Sequence, residues 1–439
     1  MQVRDVSSQY FEQTETKDVP PGYKRTEVGV IPEDWEPWPV GRMGEVITGK
    51  ALAVHAPGAQ RPYLRTKNVF DGRIDIDDVL TMPMTDAEFG RFRVLIGDVL
   101  LNEGQSLELV GRCAIYRGEY PQICAIQNQL LRFRARAGTS AEFAAHLFRY
   151  AQQTGVFARI ALQTTSIAHL GGSRFERLRL PWPIGETEQR AIADALSDAD
   201  GLLGALEALI AKKRAIKQAV MQQLLTGKTR LPGFSGEWET KRLGELGRFR
   251  GGTGFPTAAQ GVVFGDYPFF KVSDMNNDGN ETFMQVANNY VSEETRKTLG
   301  ATTFPAKSIV FAKVGAAVFL ERKKILSKTS CLDNNMAAFV LDHDTTDYRF
   351  IHFMFLNTAL GDLVSTTALP SLSNSILSSI DCLLPPIDEQ TAIATVLSDI
   401  DAEISAIEAR RDKTRQIKQG MMQQLLTGRV RLVKPGAAA

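Results

Sequence analysis

Two stretches of the chain carry the same long pattern of hydrophobic and polar positions. Residues 188–231 and 389–432 align without a gap, and 26 of their 44 positions are identical. In each stretch isoleucine and leucine recur in alternating steps of four and three, which is the spacing of a coiled-coil seam. The pattern therefore predicts two equivalent helices of about forty residues, each roughly 60 Å long at ~1.5 Å per residue.

Residues that start and stop helices mark the ends of both stretches. Prolines precede each stretch, and Gly227 and Gly428 follow them, where a left-handed residue commonly ends a helix. Each predicted helix is acidic in its first half and basic in its second half. Antiparallel pairing would bring opposite charges together, whereas parallel pairing would oppose like charges. We therefore predict an antiparallel helical pair.

The segments ahead of the two helices have a different character. Short apolar runs broken by Gly, Asn, Asp and Pro fill roughly 145 residues before each helix, which predicts two β-rich domains. Their beginnings are related, because Trp35-Glu36 leads to Met43-Gly44-Glu45 and Trp238-Glu239 leads to Leu243-Gly244-Glu245. The whole chain is thus predicted to be an internal repeat.

Composition narrows the class of protein. A chain of 439 residues is too long for one ordinary core and fits two domains. No run of 18 apolar residues and no signal-peptide pattern is present, so we expect a cytoplasmic protein without membrane contact. The four cysteines and five histidines lack the spacing of zinc ligands, and we predict no metal and no cofactor. The net charge of +1 means that any contact with nucleic acid must be local.

Two glycine-rich segments imitate phosphate-binding loops without meeting their requirements. Residues 44–51 have Ala51 where a P-loop needs a hydroxyl for magnesium, and Pro57 interrupts the helix that should follow. Residues 251–256 lack the glycine spacing of a dinucleotide-binding turn. We also find no nucleophile paired with a base, no methyltransferase string and no nuclease cluster. The chain is therefore predicted not to be an enzyme.

These motifs resemble those of one known family. The segment GYKRTEVGVIPEDWE at residues 22–36, the paired EQ-x-AIA helix starts, the paired MQQLLTG helix ends and PPIDEQ at residues 385–390 resemble the specificity subunit of type I restriction-modification systems. The resemblance implies an α+β fold. In it, two mixed β-rich target-recognition domains are joined by two long antiparallel coiled-coil helices, with a pseudo-twofold internal repeat.

The resemblance also gives an expected division of the chain. The expected parts are a flexible tail over residues 1–22, target-recognition domain 1 over 23–184, a central long helix over 185–227, target-recognition domain 2 over 228–386, a C-terminal long helix over 387–428 and a tail over 429–439.

The resemblance implies that the chain recognises a DNA sequence and catalyses no reaction itself. Each recognition domain would read one half of a bipartite site, and the helices would act as spacer and methyltransferase-docking platform. The implied partners are double-stranded DNA, two methyltransferase subunits and, optionally, two restriction subunits. The alternative is a non-enzymatic adaptor with two protein-interaction domains on a coiled-coil spacer, which the near-neutral charge favours.

Candidate DNA-binding residues are polar loop residues whose side chains can pair with base edges or phosphates. In the first domain they are Arg61, Arg65, Lys67, Asn68, Asn102, Gln105, Gln163, Thr164, Thr165 and Ser166. In the second domain they are Lys271, Ser273, Asn276, Asn277, Arg322, Lys323, Lys324, Lys328, Ser371, Ser373 and Asn374. For each of them the alternative is an ordinary solvated loop residue.

A second apolar surface on the first helix gives the candidate partner-binding residues. Ala195, Leu202 and Leu209 lie off the predicted seam, so pairing of the two helices would not bury them. We predict that a methyltransferase subunit covers them. The alternative is that they belong to the core.

Overall fold

The computed structural model describes residues 19–52, 56–163, 166–342, 345–364 and 370–433. Most of the tail expected over residues 1–22, and the last residues of the tail expected over 429–439, lie outside the described residues. The chain divides into two compact units. Unit 1 comprises Met1–Leu206 and Arg410–Ala439, and unit 2 comprises Glu207–Ala409.

The part of unit 1 that precedes the first long helix is a module of short strands and helices. Its strands are β1 (Tyr23–Thr26), β2 (Gly29–Pro32), β3 (Trp35–Pro39), β4 (Gly44–Thr48), β5 (Ala59–Leu64), β6 (Leu80–Met84), β7 (Val99–Asn102), β8 (Gly104–Gln105), β9 (Cys113–Ile115), β10 (Ala125–Ile126), β11 (Leu130–Ala135), β12 (Leu162–Gln163), β13 (Ala168–His169) and β14 (Arg179–Pro183). Its helices are α1 (Val40–Met43), α2 (Asp86–Phe92), α3 (Ala141–Gln153), α4 (Val156–Ile160) and α5 (Gly172–Arg177).

An antiparallel sheet with strand order β4-β11-β7-β9 forms the centre of this module. Further sheets have the orders β10-β5-β6, in which β10 runs parallel to β5, and β12-β13-β8. Strand β3 pairs with β14, which places Trp35 opposite Pro183. The start and the end of the module are therefore joined immediately before the first long helix.

Unit 2 contains a module built on the same plan. Its strands are β15 (Glu239–Arg242), β16 (Gly247–Gly251), β17 (Tyr267–Phe270), β18 (Phe283–Met284), β19 (Tyr290–Val291), β20 (Thr303–Phe304), β21 (Ile309–Ala312), β22 (Lys323–Leu326), β23 (Ser330–Leu332), β24 (Met336–Leu341) and β25 (Asp381–Leu384). Its helices are α7 (Leu243–Leu246), α8 (Glu293–Thr298), α9 (Tyr348–Leu356) and α10 (Asn374–Ser378).

Strand pairing shows that the two modules share one topology. The central sheet of unit 2 has the order β16-β24-β21-β22-β18, and β16-β24-β21-β22 matches β4-β11-β7-β9. Strand β17 pairs in parallel with β23, as β5 does with β10. Strand β15 pairs with β25, as β3 does with β14. The predicted α+β architecture with two related β-rich modules is confirmed.

Two helices of 39 residues each follow the modules, and their lengths agree with the sequence prediction. They are α6 (Glu186–Leu224) and α11 (Ile387–Leu425). Gly227 and Gly428 have φ angles of 68° and 70°, so both adopt the left-handed conformation expected after a helix. The first half of α6 and the second half of α11 lie in unit 1, and the remaining halves lie in unit 2.

The helix halves pack antiparallel within each unit. In unit 2, Lys217 Nζ lies 2.6 Å from Asp401 and Lys213 Nζ lies 2.7 Å from Glu403. In unit 1, Lys418 bonds to Asp200, the counterpart of Asp401 in the repeat. The predicted contact between basic and acidic halves is therefore present in both units.

The cores of the units combine residues from a module and from the helix halves. In unit 1, Trp35, Trp182 and Ile192 share one apolar cluster with Met422 and Leu425. In unit 2 the equivalent cluster contains Phe350 and Ile393 together with residues from the end of α6. Burial of each such aliphatic side chain contributes ~1.5–3 kcal/mol. Among the described residues, no helix is both long enough and apolar enough to cross a membrane.

Candidate nucleic-acid and partner interfaces

Each module presents a short turn after the strand that pairs in parallel, and candidate residues lie on both turns. In unit 1 the backbone N–H of Arg65 donates to Asn68 Oδ1 at 3.0 Å. In unit 2 the backbone N–H of Lys271 donates to Asp274 Oδ2 at 2.9 Å. These are equivalent 3-10 turns, each closed by a buried amide or carboxylate side chain. The remaining side chains of the turns are therefore displayed on the same backbone framework.

Acidic neighbours hold the basic candidates of unit 1. Arg65 Nη2 and Lys67 Nζ lie 2.7 Å and 2.6 Å from the same atom, Asp78 Oδ2. Arg61 Nη2 lies 2.7 Å from Asp86 Oδ1. The hydrogen bond from Lys67 lowers the pKa of the Asp78 carboxyl. A phosphate that approached these cations would replace exposed ion pairs, which are individually weak.

Three candidates are buried and have structural roles. Asn68 closes its turn and donates through Nδ2 to the carbonyl of Asp75 at 2.9 Å. Asn102 is fully buried, and its amide donates to the carbonyl of Val69 at 3.3 Å. Lys323 is buried, with Nζ donating to the carbonyl of Thr358 at 2.8 Å. We exclude these three residues from the proposed interface because DNA could not reach them without rearrangement.

A small sheet brings two glutamines of unit 1 together. Gln163 on β12 is opposite Ala168 on β13, and Ala168 is opposite Gln105 on β8. Residues opposite one another on neighbouring strands point to the same face, so both glutamines share one face of this sheet. Ser166 is exposed beside them. Thr164 and Thr165 lie outside the described residues, so their role stays a prediction.

The polar candidates on the turn of unit 2 are more accessible. Ser273 and Asn276 are exposed on the 3-10 turn. Asn277 is half-buried, and its Nδ2 donates to Asn288 Oδ1 at 3.1 Å. Lys271 matches Arg65, but this turn has the hydroxyl of Ser273 where the turn of unit 1 has Lys67, and it adds the amide of Asn276.

The basic run predicted over residues 322–328 is dispersed by its strand. Lys323 and Lys324 are consecutive on β22, and consecutive side chains on a strand point to opposite faces. Lys324 Nζ donates to the carbonyl of Glu281, and burial lowers its pKa. Arg322 is half-buried, whereas Lys328 is exposed with Nζ 5.5 Å from the ring centroid of Tyr290.

The last candidates of unit 2 lie at the start of α10. Ser373 is the N-cap of this helix, and its Oγ accepts from the backbone N–H of Ile376 at 3.2 Å. Asn374 is exposed and donates through Nδ2 to the carbonyl of Phe249 at 3.1 Å. Ser371 is exposed in the preceding segment. Capping accounts for Ser373 without any contact to DNA.

The partner-binding candidates on α6 differ in exposure. Leu202 is 40% exposed and Leu209 is 39% exposed, although both are large apolar residues. Ala195 is half-buried and packs against the core of unit 1. By contrast, Leu206 on the seam is 5% exposed. The seam and the second apolar surface are thus separate, and the docking role of that second surface stays a prediction.

A buried ion pair at the start of α6 was missed by the sequence analysis. Arg431 Nη2 lies 2.8 Å from Glu188 Oε2, and Arg431 Nη1 lies 2.8 Å from Asp34 Oδ1. Trp35 Nε1 donates to the same Glu188 carboxylate at 3.1 Å. The hydrogen bond to Glu188 raises the pKa of Arg431, and that from Arg431 lowers the pKa of Asp34. The residues after α11 are therefore fastened to the start of α6 and to the module of unit 1.

The same arrangement recurs in unit 2. Arg230 Nη2 lies 2.6 Å from Glu389 Oε2, and Trp238 Nε1 donates to that atom at 3.2 Å. The side chain of Glu389 is fully buried. The signal was present in the sequence, because Arg230 and Arg431 occupy matching positions in the aligned repeats. Neither arginine was predicted to have a role, because both follow the ends of the helices.

The glutamine that follows each buried glutamate makes a second equivalent junction. Gln189 Nε2 donates to the carbonyl of Pro183, and its Oε1 accepts from the backbone N–H of Ser140. Gln390 makes the same two kinds of bond, with Pro385 and Asp347. The EQ pair of each repeat therefore anchors a β-rich module to the start of a long helix.

These features define a class of protein: two homologous β-rich modules on paired long helices, with variable polar loops on a shared framework. Comparisons with known proteins agree. Residues 235–419 match the family model described as "Type I restriction modification DNA specificity domain". The putative type I restriction enzyme MjaX specificity subunit of Methanocaldococcus jannaschii is 25% identical over 428 residues, covering 93% of this chain and 97% of the relative.

Solved structures show the same fold. The type I restriction-modification S subunit from M. genitalium superposes with a TM-score of 0.55 at 15% identity, covering 89% of this chain and 96% of that chain. A chain solved in a study of complex assembly and conformational transition of the type I R-M system gives 0.58 at 16% identity, covering 91% and 99%. Residues 235–419 therefore carry a type I restriction-modification DNA specificity domain, and the chain as a whole has the fold of the solved specificity subunit.

Proposed function

We propose that the chain is the DNA sequence-recognition subunit of a type I restriction-modification complex. Each module reads one half of a bipartite site. The observation that carries this proposal is the pair of equivalent 3-10 turns, which share a backbone framework but display different side chains. Arg65 and Lys67 occupy one turn, and Lys271 and Ser273 occupy the other. Different donors and acceptors on one framework are suited to reading different bases.

Local charge supports contact with DNA although the net charge of the chain is only +1. The exposed or half-buried cations on the turns can contact phosphates, which fix the register of a protein on the duplex. The glutamine pair formed by Gln105 and Gln163 can contact base edges, since glutamine pairs with adenine through two hydrogen bonds. We propose these residues, with Ser273 and Asn276, as the central candidates for base contact.

The long helices act as spacer and docking platform in this proposal. Half-sites one turn of the DNA double helix apart are separated by ~34–36 Å. An α-helix of 39 residues at ~1.5 Å per residue is longer than that distance. Two methyltransferase subunits bind this chain, and Leu202 and Leu209 are among the residues that they contact. In this proposal the partners, rather than this chain, perform the chemistry, and restriction subunits join where the system has them. We expect the complex in the cytoplasm.

A filter-binding assay tests this proposal against the adaptor alternative, which the net charge of +1 favours. The chain is co-purified with its methyltransferase and mixed with DNA containing the methylated site, and nonspecific DNA is the competitor. Retention of the specific DNA at competitor excess supports recognition. Equal loss of specific and nonspecific DNA, with the protein complex intact, would instead favour an adaptor.

A further inference from the structure

Unit 2 displays an exposed apolar tip that none of the sequence predictions included. Val262, Val263 and Phe264 are consecutive, and they are 47%, 70% and 79% exposed. Single exposed apolar residues are ordinary, but a contiguous apolar group on a protein surface commonly marks a binding site. We call these three residues the apolar tip.

The apolar tip stands on a fixed base. The backbone N–H of Gly261, which has a φ angle of 93°, donates to Asn289 Oδ1 at 2.8 Å. The carbonyl of Val262 accepts from the backbone N–H of Tyr290 at 2.7 Å. At the other end, a Cβ on Gly265 would come within 2.9 Å of a backbone oxygen of β19. Two glycines thus hold the segment close to β19, and Phe264 is directed into solvent.

Two cations flank the base of the apolar tip. Lys271 Nζ donates to Gln260 Oε1 at 2.9 Å, and Gln260 immediately precedes the segment. Lys328 Nζ lies 5.5 Å from the ring centroid of Tyr290, whose backbone holds Val262. An apolar surface for a protein partner would not require positive charge on both sides. Positive charge around an exposed aromatic ring is instead complementary to a nucleic acid, which presents phosphates around stacked bases.

We propose that Phe264 is a wedge that enters a base step of the DNA half-site read by unit 2, while Lys271 and Lys328 contact the flanking phosphates. The occupant of the apolar tip is double-stranded DNA. Apolar side chains inserted between base pairs partly unstack them and bend the duplex. The wedge makes the half-site sensitive to the deformability of that step, so Phe264 contributes to specificity without a hydrogen bond to a base. This inference rests on the proposed function and adds a residue and a mode of recognition to it.

The test uses the full chain in complex with its methyltransferase and DNA carrying its methylated site. 2-Aminopurine is placed in turn at each position of both half-sites, because its fluorescence changes when stacking changes. The wild-type complex is expected to change the fluorescence at one step of one half-site. Phe264→Ala removes that change and weakens binding by about 10-fold or more, as expected from the loss of one base–aromatic stack. Phe264→Trp retains the fluorescence change.

The matched control is Phe319→Ala, since Phe319 is 55% exposed on another turn of the same unit. This variant is expected to bind DNA as the wild type does. Wild-type affinity and an unchanged fluorescence signal in Phe264→Ala would overturn the wedge. The wedge would also be overturned if the wild type changed the fluorescence at no 2-aminopurine position and the Phe264→Ala variant lost the methyltransferase. That result would assign the apolar tip to a protein interface.

A further variant separates failure of the wedge from failure of the proposed function. Lys271→Ala combined with Lys328→Ala is expected to weaken binding to all DNA sequences and to reduce its salt dependence. If binding by this double variant had the same salt dependence as binding by the wild type, Lys271 and Lys328 would not contact phosphates, and this inference would be wrong. If the wild-type complex retained no specific DNA in the first place, the proposed function itself would be wrong, and the inference would fall with it.

Discussion

Removing Arg431 should destabilise the protein far more than its place after the last helix suggests. The side chain of Glu188 is 6% exposed. In the Arg431→Ala variant, Trp35 Nε1 is the one side-chain donor left to this carboxylate among the described residues. Breaking a buried ion pair by removing one partner costs about 3–5 kcal/mol, because a charge stays buried without compensation. If unit 1 unfolds cooperatively, with an entropy of unfolding of ~2.1 cal/mol/K per residue, that corresponds to a fall in its Tm of roughly 6–10 °C.

Thermal unfolding followed by calorimetry measures this effect, and Arg429→Ala is the matched control because Arg429 is exposed two residues earlier. Arg431→Lys should fall between the wild type and Arg431→Ala, since lysine keeps the charge but not the paired donors of the guanidinium group. Glu188→Gln combined with Arg431→Ala should recover part of the loss, because the buried charge is then gone. An Arg431→Ala variant as stable as Arg429→Ala would refute the reasoning.

Two further predictions concern pH and partner binding. Burial lowers the pKa values of His146 and His352 to about 4, so both are neutral in the folded state and take up a proton on unfolding below the ordinary value of 6.5. The free energy of unfolding should therefore fall as pH drops from about 6.5 towards 4, by up to about 3 kcal/mol for each histidine. Denaturant unfolding of the His146→Gln variant across this pH range should show a smaller fall. The same pH dependence in this variant and in the wild type would contradict a buried neutral His146. Separately, the Leu202→Lys and Leu209→Lys variants should co-purify less with the methyltransferase and keep the wild-type Tm. The control Leu206→Lys, on the seam, should lower Tm. Equal losses of Tm in all three variants would show that Leu202 and Leu209 belong to the core.

The long helices could be predicted in detail because their lengths and ends depend on local signals. The seam spacing and the glycines after each helix can be read from neighbouring residues, and the acidic and basic halves of each helix predicted the antiparallel pairing that joins Lys217 to Asp401. Strand pairing could not be predicted in this way. The parallel pairing of β10 with β5 places Ala125 beside Tyr63, and no local pattern in either segment specifies the other. The repeat predicted that the modules would be alike without predicting how their strands pair.

The candidate interface was less predictable than the fold because polar side chains that close turns and those that read bases are chemically the same. Asn68 and Asn276 both lie in loops rich in polar residues, but only Asn276 is exposed, whereas Asn68 is buried against the backbone. The alternation of side chains on β22 likewise separates Lys323 from Lys324. Burial depends on which strands pack around a loop, and the sequence alone did not determine that packing.

The central claim is that each module reads one half of the DNA site, and sequencing of methylated sites in cells tests it most directly. The loops within residues 60–175 are exchanged for those of another specificity subunit, and the chain is expressed with its methyltransferase. The account predicts that one half of the methylated sequence changes while the other half stays the same. A change in both halves, or in neither half with methylation intact, would contradict it.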